Sequence, residues 1–234
     1  MSNLDLKRWI VVFAGVLIVF CSGGAYTFSV FRGPLIELLG ADPTKVALAF
    51  SLNLGCLPIG VLIGGKIADT KSPKSIVGFG GVLMGLGIFL AGFTNSLIWL
   101  YLSFGIIMSL GSGASYGAAI GTAVKWFPDR RGLIAGIVVS ALGFGTFVMA
   151  PLAKYLIAQE SIGVLGTFKI YGIAITIIAI VASQFMKLPP ADYVPSGYVP
   201  KAGPTKALGK DINWIEMLGK SRFWLLWILY ALGS

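Results

Sequence analysis

Residues 75–124 read SIVGFGGVLMGLGIFLAGFTNSLIWLYLSFGIIMSLGSGASYGAAIGTAV, 50 residues without a single Asp, Glu, Lys, Arg or His. A helix needs about 20 mainly apolar residues to cross the ~30 Å hydrocarbon core of a bilayer, so this window is long enough for two crossings. The Thr, Asn and Ser at 94–96 favour a turn over a helix interior. The stretch therefore predicts two membrane helices joined by a tight turn.

Charge-free windows also flank this stretch on both sides. The composition agrees, because 12% of the residues are charged and 56% are hydrophobic, with a mean hydropathy of +0.88. Soluble domains carry about 25% charged residues. We predict an all-α membrane protein whose short connections make sequential helices neighbours in an up-and-down bundle. The six predicted helices cover residues 9–31, 44–66, 75–93, 97–124, 132–157 and 164–187.

The positive charge follows the predicted topology. With the amino terminus placed inside, 14 of the 18 Lys and Arg residues fall on the inner side and 4 on the outer side. The positive-inside rule then predicts a cytoplasmic amino terminus and a cytoplasmic segment 188–221. Charges placed in this way anchor a membrane protein, so the net charge of +9 does not indicate nucleic-acid binding.

Residues that would indicate an enzyme or a metal protein are missing from the sequence. There is no His, and both Cys lie within predicted helices. We therefore expect no metal site, no cofactor and no disulfide framework. No nucleophile–base pair or acid pair is visible either, so the protein is not expected to be an enzyme.

Three regions are predicted along the chain. Residues 1–187 form the six-helix bundle, and the proline-rich residues 188–221 form a linker. The residues that follow Arg222 are apolar with no polar face, as in a helix that enters the bilayer, so residues 222–234 form a third region. We interpret them as the start of a seventh membrane helix that is truncated.

Glycines recur at four-residue spacing inside the predicted helices. They are Gly81 and Gly85, Gly113, Gly117 and Gly121, and Gly132 and Gly136. Such small-residue stripes allow membrane helices to pack closely. A second interpretation, that these faces also slide during a conformational cycle, stays open.

A faint internal repeat links the first and fourth helices. SGGAYTFSVF (residues 22–31) and GSGASYGAAI (residues 111–120) each bring a cluster of small residues up to a tyrosine, Tyr26 and Tyr116. The two helices would be equivalent in a 3+3 inverted repeat, an arrangement found within each half of some transporters.

Two loops of the predicted cytoplasmic face place an acid among bases. GGKIADTKSPK (residues 64–74) contains Asp69, and VKWFPDRRGLIAG (residues 124–136) contains Asp129. Interfacial bases can act as topology anchors alone. A carboxylate at a helix end can also pair with a facing Arg or cap a helix amino terminus, and so form a latch that opens and closes.

The first of these loops resembles the loop signature of the major facilitator superfamily, G-x-x-x-D-R-x-G-R-R. Gly65 and Asp69 match its invariant positions, and Lys74 matches its last base. KWFPDRRGLIAG in the second loop and ALGFGTFVMAPL (residues 141–152) resemble the oxalate/formate antiporter family within that superfamily. The resemblance covers essentially the whole chain.

This resemblance implies a twelve-helix fold in two six-helix bundles, of which the chain supplies the amino-terminal bundle. It implies exchange of small organic anions, oxalate and formate or related mono- or dicarboxylates, by alternating access across the inner membrane. No predicted helix core contains an acid or base, so this half lacks the positive charge that an anion needs. The resemblance places those basic residues in the missing carboxy-terminal half, which is the expected partner along with the anion and the lipid bilayer.

The resemblance also implies site residues. Tyr26 and Tyr116 match tyrosines of the family's substrate cavity, and Thr27, Ser29 and Asn53 are polar groups within helices that could bind substrate or join helices. The predicted latch residues are Gly65, Asp69, Lys74, Asp129, Arg130 and Arg131.

Two other functions stay open at this point. One is a proton-coupled monocarboxylate symporter, which would require an ionisable acid in helices beyond this chain. The other is a truncated or split six-helix membrane protein without transport activity of its own.

Overall fold

A computed structural model describes residues 3–70, 72–190, 193, 217, 219–221, 223–225 and 228. The side chains of residues 3–5, 69 and 70 lie outside this description. By internal contacts the chain divides into two compact units, Met1–Pro195 and Ser196–Ser234. Most of the predicted linker and seventh helix falls outside the described residues, so those boundaries stay predictions.

The described residues contain six helices that are long and apolar enough to cross a membrane. This confirms the all-helical membrane fold predicted from the charge-free windows. The helices are numbered here from first to sixth along the chain, and the amino-terminal end of the bundle is the end at which the first helix begins. They span Leu6–Leu39, Pro43–Ala68, Pro73–Ala91, Leu97–Lys125, Arg131–Ile157 and Gly163–Ser183.

The first helix is longer than predicted. We expected it to end at residue 31, before the charge of Arg32 and the ring of Pro34, but it continues to Leu39. It ends at Gly40, whose φ of 54° lies in the left-handed region that favours glycine at helix ends. Arg32 is therefore a helical residue and not part of a loop.

The second helix begins with a capping turn. Asp42 precedes Pro43 at the first helical position, and the Asp42 Oδ1 accepts a hydrogen bond from the Thr44 backbone N–H at 2.8 Å. That hydrogen bond lowers the pKa of the Asp42 carboxyl. The turn from the first helix to the second is thus defined by local hydrogen bonds.

We had expected each helix to pack mainly against its neighbours in sequence. Most of the closest contacts are instead between helices that are not consecutive. The closest pairs are the third helix with the sixth, the second with the fourth, the third with the fourth, and the first with the fifth. Contacts between the first and second helices, and between the second and third, are sparse. The expectation holds for the third and fourth helices and is wrong for the first with the second and the second with the third. Short loops decide only which helix ends are close, whereas glycines decide which helix faces can pack closely.

Those seams use some of the predicted glycines and not others. A Cβ at Gly113 would lie 2.8 Å from the backbone nitrogen of Val61, and closer still to the carbonyl oxygen of Leu57. A Cβ at Gly121, on the same helix, would meet nothing within 4 Å, and the same holds for Gly132 and Gly136 on the fifth helix. A Cβ at Gly81 or Gly85 would also overlap atoms of the sixth helix, and a Cβ at Gly117 would lie 3.1 Å from the Val61 side chain.

Two helices depart from α geometry part-way along. The first helix contains a 3₁₀ segment, Gly23–Thr27, and the fourth contains a π segment, Tyr101–Met108. Phe28, the residue that follows the 3₁₀ segment, packs on Phe104 of the π segment with ring centroids 4.8 Å apart. Irregular segments of this kind often mark hinges or functional sites.

Candidate functional site

An open cavity of about 240 Å³ lies between the first and second helices, toward the end of the bundle opposite the amino terminus. The first helix contributes one face to it, with side chains three or four residues apart on successive turns. The lining residues are Tyr26, Phe28, Ser29 and Arg32 from the first helix and Ala47, Phe50 and Ser51 from the second.

Aromatic rings form one wall of this cavity. Tyr26 meets Phe50 edge-on with ring centroids 6.0 Å apart, and Phe28 stacks on Phe50 at 5.9 Å with an angle of 8°. Phe28 also contacts Phe104 of the π segment. Beneath these rings lies a cluster of buried apolar residues that includes Phe31 and Phe168, whose rings stack at 4.2 Å. The wall is therefore part of the packed core and is held in place by it.

Polar groups complete the cavity. Tyr26 is 38% exposed, and Ser29, Arg32 and Ser51 are exposed as well. The Arg32 Nη2 donates to the carbonyl oxygen of Pro43 at 3.4 Å, which joins the guanidinium to the start of the second helix. A guanidinium with hydroxyl donors beside it can bind a carboxylate through charge-assisted hydrogen bonds, while the rings exclude water from the other side.

Two other predicted substrate residues are engaged in helix packing. Thr27 is buried, and its Oγ1 donates to the Gly24 carbonyl oxygen at 2.5 Å within the same helix. Asn53 is fully buried, and its Nδ2 donates to the carbonyl oxygen of Phe104 at 2.9 Å. The Ser109 hydroxyl donates to the Asn53 carbonyl oxygen. Asn53 thus links the second helix to the π segment of the fourth.

Tyr116 lies in the other half of the bundle from Tyr26. It is half-buried and packs against the apolar cluster at the amino-terminal end, which includes Val138 and Phe127. Tyr26 packs on Phe50, which itself packs against the other apolar cluster, the one that contains Phe31 and Phe168. The structure therefore brings Tyr26 and Ser29 into one cavity and places Tyr116 elsewhere.

The predicted latch residues lie at the amino-terminal end of the bundle. Asp129 and Arg130 form an ion pair, with Oδ2 and Nε 3.6 Å apart, and Arg131 begins the fifth helix. Lys74 is exposed at the start of the third helix. The side chain of Asp69 lies outside the described residues.

Gly65 belongs to a separate small cavity at the same end. This cavity has a volume of about 170 Å³ and is also lined by Gly121, Thr122 and Lys125 of the fourth helix. A Cβ at Gly65 would meet nothing within 4 Å, so the described part of this chain leaves space beside it.

Arg32 and Ser51 are cavity residues that the sequence analysis missed. Arg32 was assigned to a loop because it is the first charge after an apolar window. The spacing of Tyr26, Ser29 and Arg32 was a usable signal, because residues at three-residue steps share one helix face. Ser51 and Phe50 gave no such signal, since only the packing of the second helix brings them to this face.

Comparison with known proteins identifies the family. Residues 12–234 match the family model described as Major Facilitator Superfamily. The chain is 29% identical to the oxalate:formate antiporter of Oxalobacter formigenes, over 96% of this chain and 51% of that protein. It is also 29% identical to the uncharacterized MFS-type transporter YhjX of Escherichia coli, over 98% of this chain and 55% of the relative.

A third relative is named a monocarboxylate transporter. Monocarboxylate transporter 12 of Mus musculus is 30% identical over 65% of this chain and 32% of its own length. Nearly all of this chain aligns with the two bacterial relatives, but it spans only about half of their length.

Proposed function

The chain belongs to the major facilitator superfamily, and from that premise we propose that it contributes the substrate-binding amino-terminal bundle of a carrier that exchanges small organic anions. The substrates would be oxalate and formate or related mono- and dicarboxylates. The name of the Oxalobacter relative supports this class of substrate.

The observation that carries the proposal is the cavity shared by Tyr26, Ser29 and Arg32. A guanidinium matches the two oxygens of a carboxylate, and the neighbouring hydroxyls can donate to the same group. The aromatic wall of Phe28 and Phe50 limits the site to a small, flat anion. Tyr26 and Ser29 are thus proposed substrate contacts, together with Arg32.

A dicarboxylate carries a second negative charge that Arg32 alone does not balance. Binding a charge in the membrane requires a compensating partner. We assign that partner to a second six-helix bundle, since the two bacterial relatives are about twice as long as this chain. Tyr116 would contact the substrate as it passes the amino-terminal end of the bundle. Thr27 and Asn53 would act by holding helices together.

Exchange requires a site that opens to each side of the membrane in turn. The 3₁₀ segment Gly23–Thr27 and the π segment Tyr101–Met108 are suitable bending points, since both lie directly beside the cavity wall. Thr146 supports one of them, because its Oγ1 donates to the Gly23 carbonyl oxygen at 2.9 Å. Bending there would change the angle between the two halves of the first helix while the bundle stays packed.

The loop residues at the amino-terminal end would control this movement. In this proposal Gly65, Asp69 and Lys74 of one loop and Asp129, Arg130 and Arg131 of the other form a latch on the cytoplasmic side. The space beside Gly65, which a helix of a second bundle could fill, supports it. The distribution of Lys and Arg supports cytoplasmic placement in an inner or plasma membrane.

A proton-coupled monocarboxylate symporter is the second candidate. It is favoured by the 30% identity to monocarboxylate transporter 12. The two functions differ in what drives uptake, since exchange needs an anion on the far side and symport needs a pH gradient.

Uptake of labelled oxalate, formate and lactate into proteoliposomes containing the full-length protein tests the proposal. We expect uptake to accelerate several-fold when the vesicles are preloaded with unlabelled oxalate or formate, and to respond little to an inward proton gradient. Uptake driven by the proton gradient without any internal anion would favour the symporter. Vesicles without protein give the background.

A further inference from the structure

A groove of about 400 Å³ lies at the amino-terminal end of the bundle, far from the cavity of Tyr26. It runs between the start of the first helix and the residues that follow the sixth. Val11 and Trp126 form its base, and each is only 3% exposed. Ile10, Phe185 and Leu188 form its sides and are 38%, 48% and 44% exposed. The groove is therefore apolar inside and open outside.

Two amines lie at the edge of this apolar groove. Lys7 and Lys187 both line it and both are exposed, and no carboxylate is among its described lining residues. Lys7 lies near the start of the first helix and Lys187 in the chain just after the sixth helix. This is the level at which lipid headgroups meet a membrane protein. Positive charge above an apolar groove is complementary to a lipid with an anionic headgroup and an acyl chain.

The groove is held in shape by contacts that do not involve either amine. The indole Nε1 of Trp126 donates to the carbonyl oxygen of Lys187 at 2.7 Å, which fixes the chain after the sixth helix. On the other side the ring of Trp9 packs edge-on against Phe127 at 5.1 Å, and the Arg8 guanidinium lies 4.7 Å from the same ring. A lipid would therefore enter a site that is already formed.

We propose that this groove binds one anionic phospholipid from the adjacent leaflet. The phosphate lies between the amines of Lys7 and Lys187, and the upper part of an acyl chain lies against Ile10 and Phe185. A second groove, of about 280 Å³, between the third and sixth helices has no cationic lining residue, so it would accept an acyl chain without selecting the headgroup. Charge thus distinguishes the proposed site from an ordinary lipid-facing surface.

Native mass spectrometry of the full-length protein in detergent measures this selectivity. The protein is mixed with phosphatidylglycerol or with phosphatidylcholine of the same acyl chains. We expect the wild type to retain one phosphatidylglycerol in preference to phosphatidylcholine. Replacing both lysines (Lys7→Gln with Lys187→Gln) should lower that preference about 25-fold, the product of about fivefold for each amine. The matched control replaces two exposed lysines of the opposite end, Lys45→Gln with Lys154→Gln, and should keep the preference.

Photo-crosslinking places the lipid independently of the charge change. Benzoylphenylalanine in place of Ile10 should crosslink to phosphatidylglycerol in vesicles more than benzoylphenylalanine in place of Leu38, an exposed residue at the other end of the same helix. Equal retention of both lipids by the wild type, or full retention by the double lysine variant, would overturn the proposal. So would a crosslink from position 10 to the chain beyond Pro190 in place of lipid.

Discussion

Gly113→Val is expected to prevent stable folding of the bundle, whereas Gly121→Val, two turns further along the same helix, is expected to leave it intact. A Cβ at position 113 would overlap backbone atoms of the second helix, with the Val61 nitrogen only 2.8 Å away. Backbone cannot move aside as a flexible side chain can. The cost should reach or exceed roughly 3 kcal/mol, the upper end of the usual range for overpacking.

The two variants are matched because they make the same substitution in the same helix. Any general effect of a β-branched residue on the fourth helix is shared, so only the contact with the second helix differs. The yield of monodisperse protein in detergent and its unfolding temperature measure the outcome. Equal loss of stability in both variants would show that the second and fourth helices do not meet at Gly113.

Arg32→Gln is expected to raise the KM of the full-length protein for oxalate by roughly tenfold to a hundredfold. Glutamine keeps hydrogen-bond donors but removes the charge, and a hydrogen bond to a charged group contributes about 1.5–3 kcal/mol. Arg32→Lys should recover part of the affinity, because a lysine keeps the charge but cannot form the paired hydrogen bonds of a guanidinium.

Lys45→Gln is the control for this prediction. Lys45 is exposed at the same end of the bundle but does not line the cavity. The concentration dependence of exchange into preloaded proteoliposomes gives KM and the maximal rate separately. If Arg32→Gln and Lys45→Gln changed KM equally, Arg32 would act only through the general positive charge of this surface.

The spanning helices could be predicted from the sequence because the signal is local. A charge-free window of about 20 residues has few alternatives to crossing the bilayer. The end of the first helix could not be predicted by that rule. Arg32 and Pro34 both suggest a boundary, yet an arginine side chain can reach a polar partner, here the Pro43 carbonyl oxygen, while its backbone stays helical.

The candidate site was only partly accessible to sequence reasoning. Tyr26 could be predicted because it matches a cavity tyrosine of the resembling family, and Ser29 because it is a polar group within an apolar helix. The aromatic wall could not, since Phe50 and Phe104 come from two other helices. The side chain of Asn53 is of a type that can bind substrate. Only the structure shows that its amide donates a hydrogen bond to the Phe104 carbonyl oxygen instead.

Glycine spacing alone does not tell a packing seam from an open face. Gly113 and Gly121 belong to one stripe with four-residue spacing, but a Cβ at Gly113 would overlap the second helix whereas a Cβ at Gly121 would meet nothing within 4 Å. Gly121, Gly132 and Gly136 therefore mark surfaces that the described part of this chain leaves open. Such surfaces are suited to close approach by further helices.

If a small carboxylate binds in the cavity of Tyr26, Ser29 and Arg32, it should protect a cysteine placed at position 29 (Ser29→Cys) from labelling. The variant is made in full-length protein whose Cys21 and Cys56 are replaced, and a water-soluble maleimide labels it in proteoliposomes. We expect oxalate to slow labelling at position 29 several-fold and to leave labelling of Thr44→Cys, exposed at the same end outside the cavity, unchanged. Equal labelling of Ser29→Cys with and without oxalate would show that the carboxylate does not bind in this cavity.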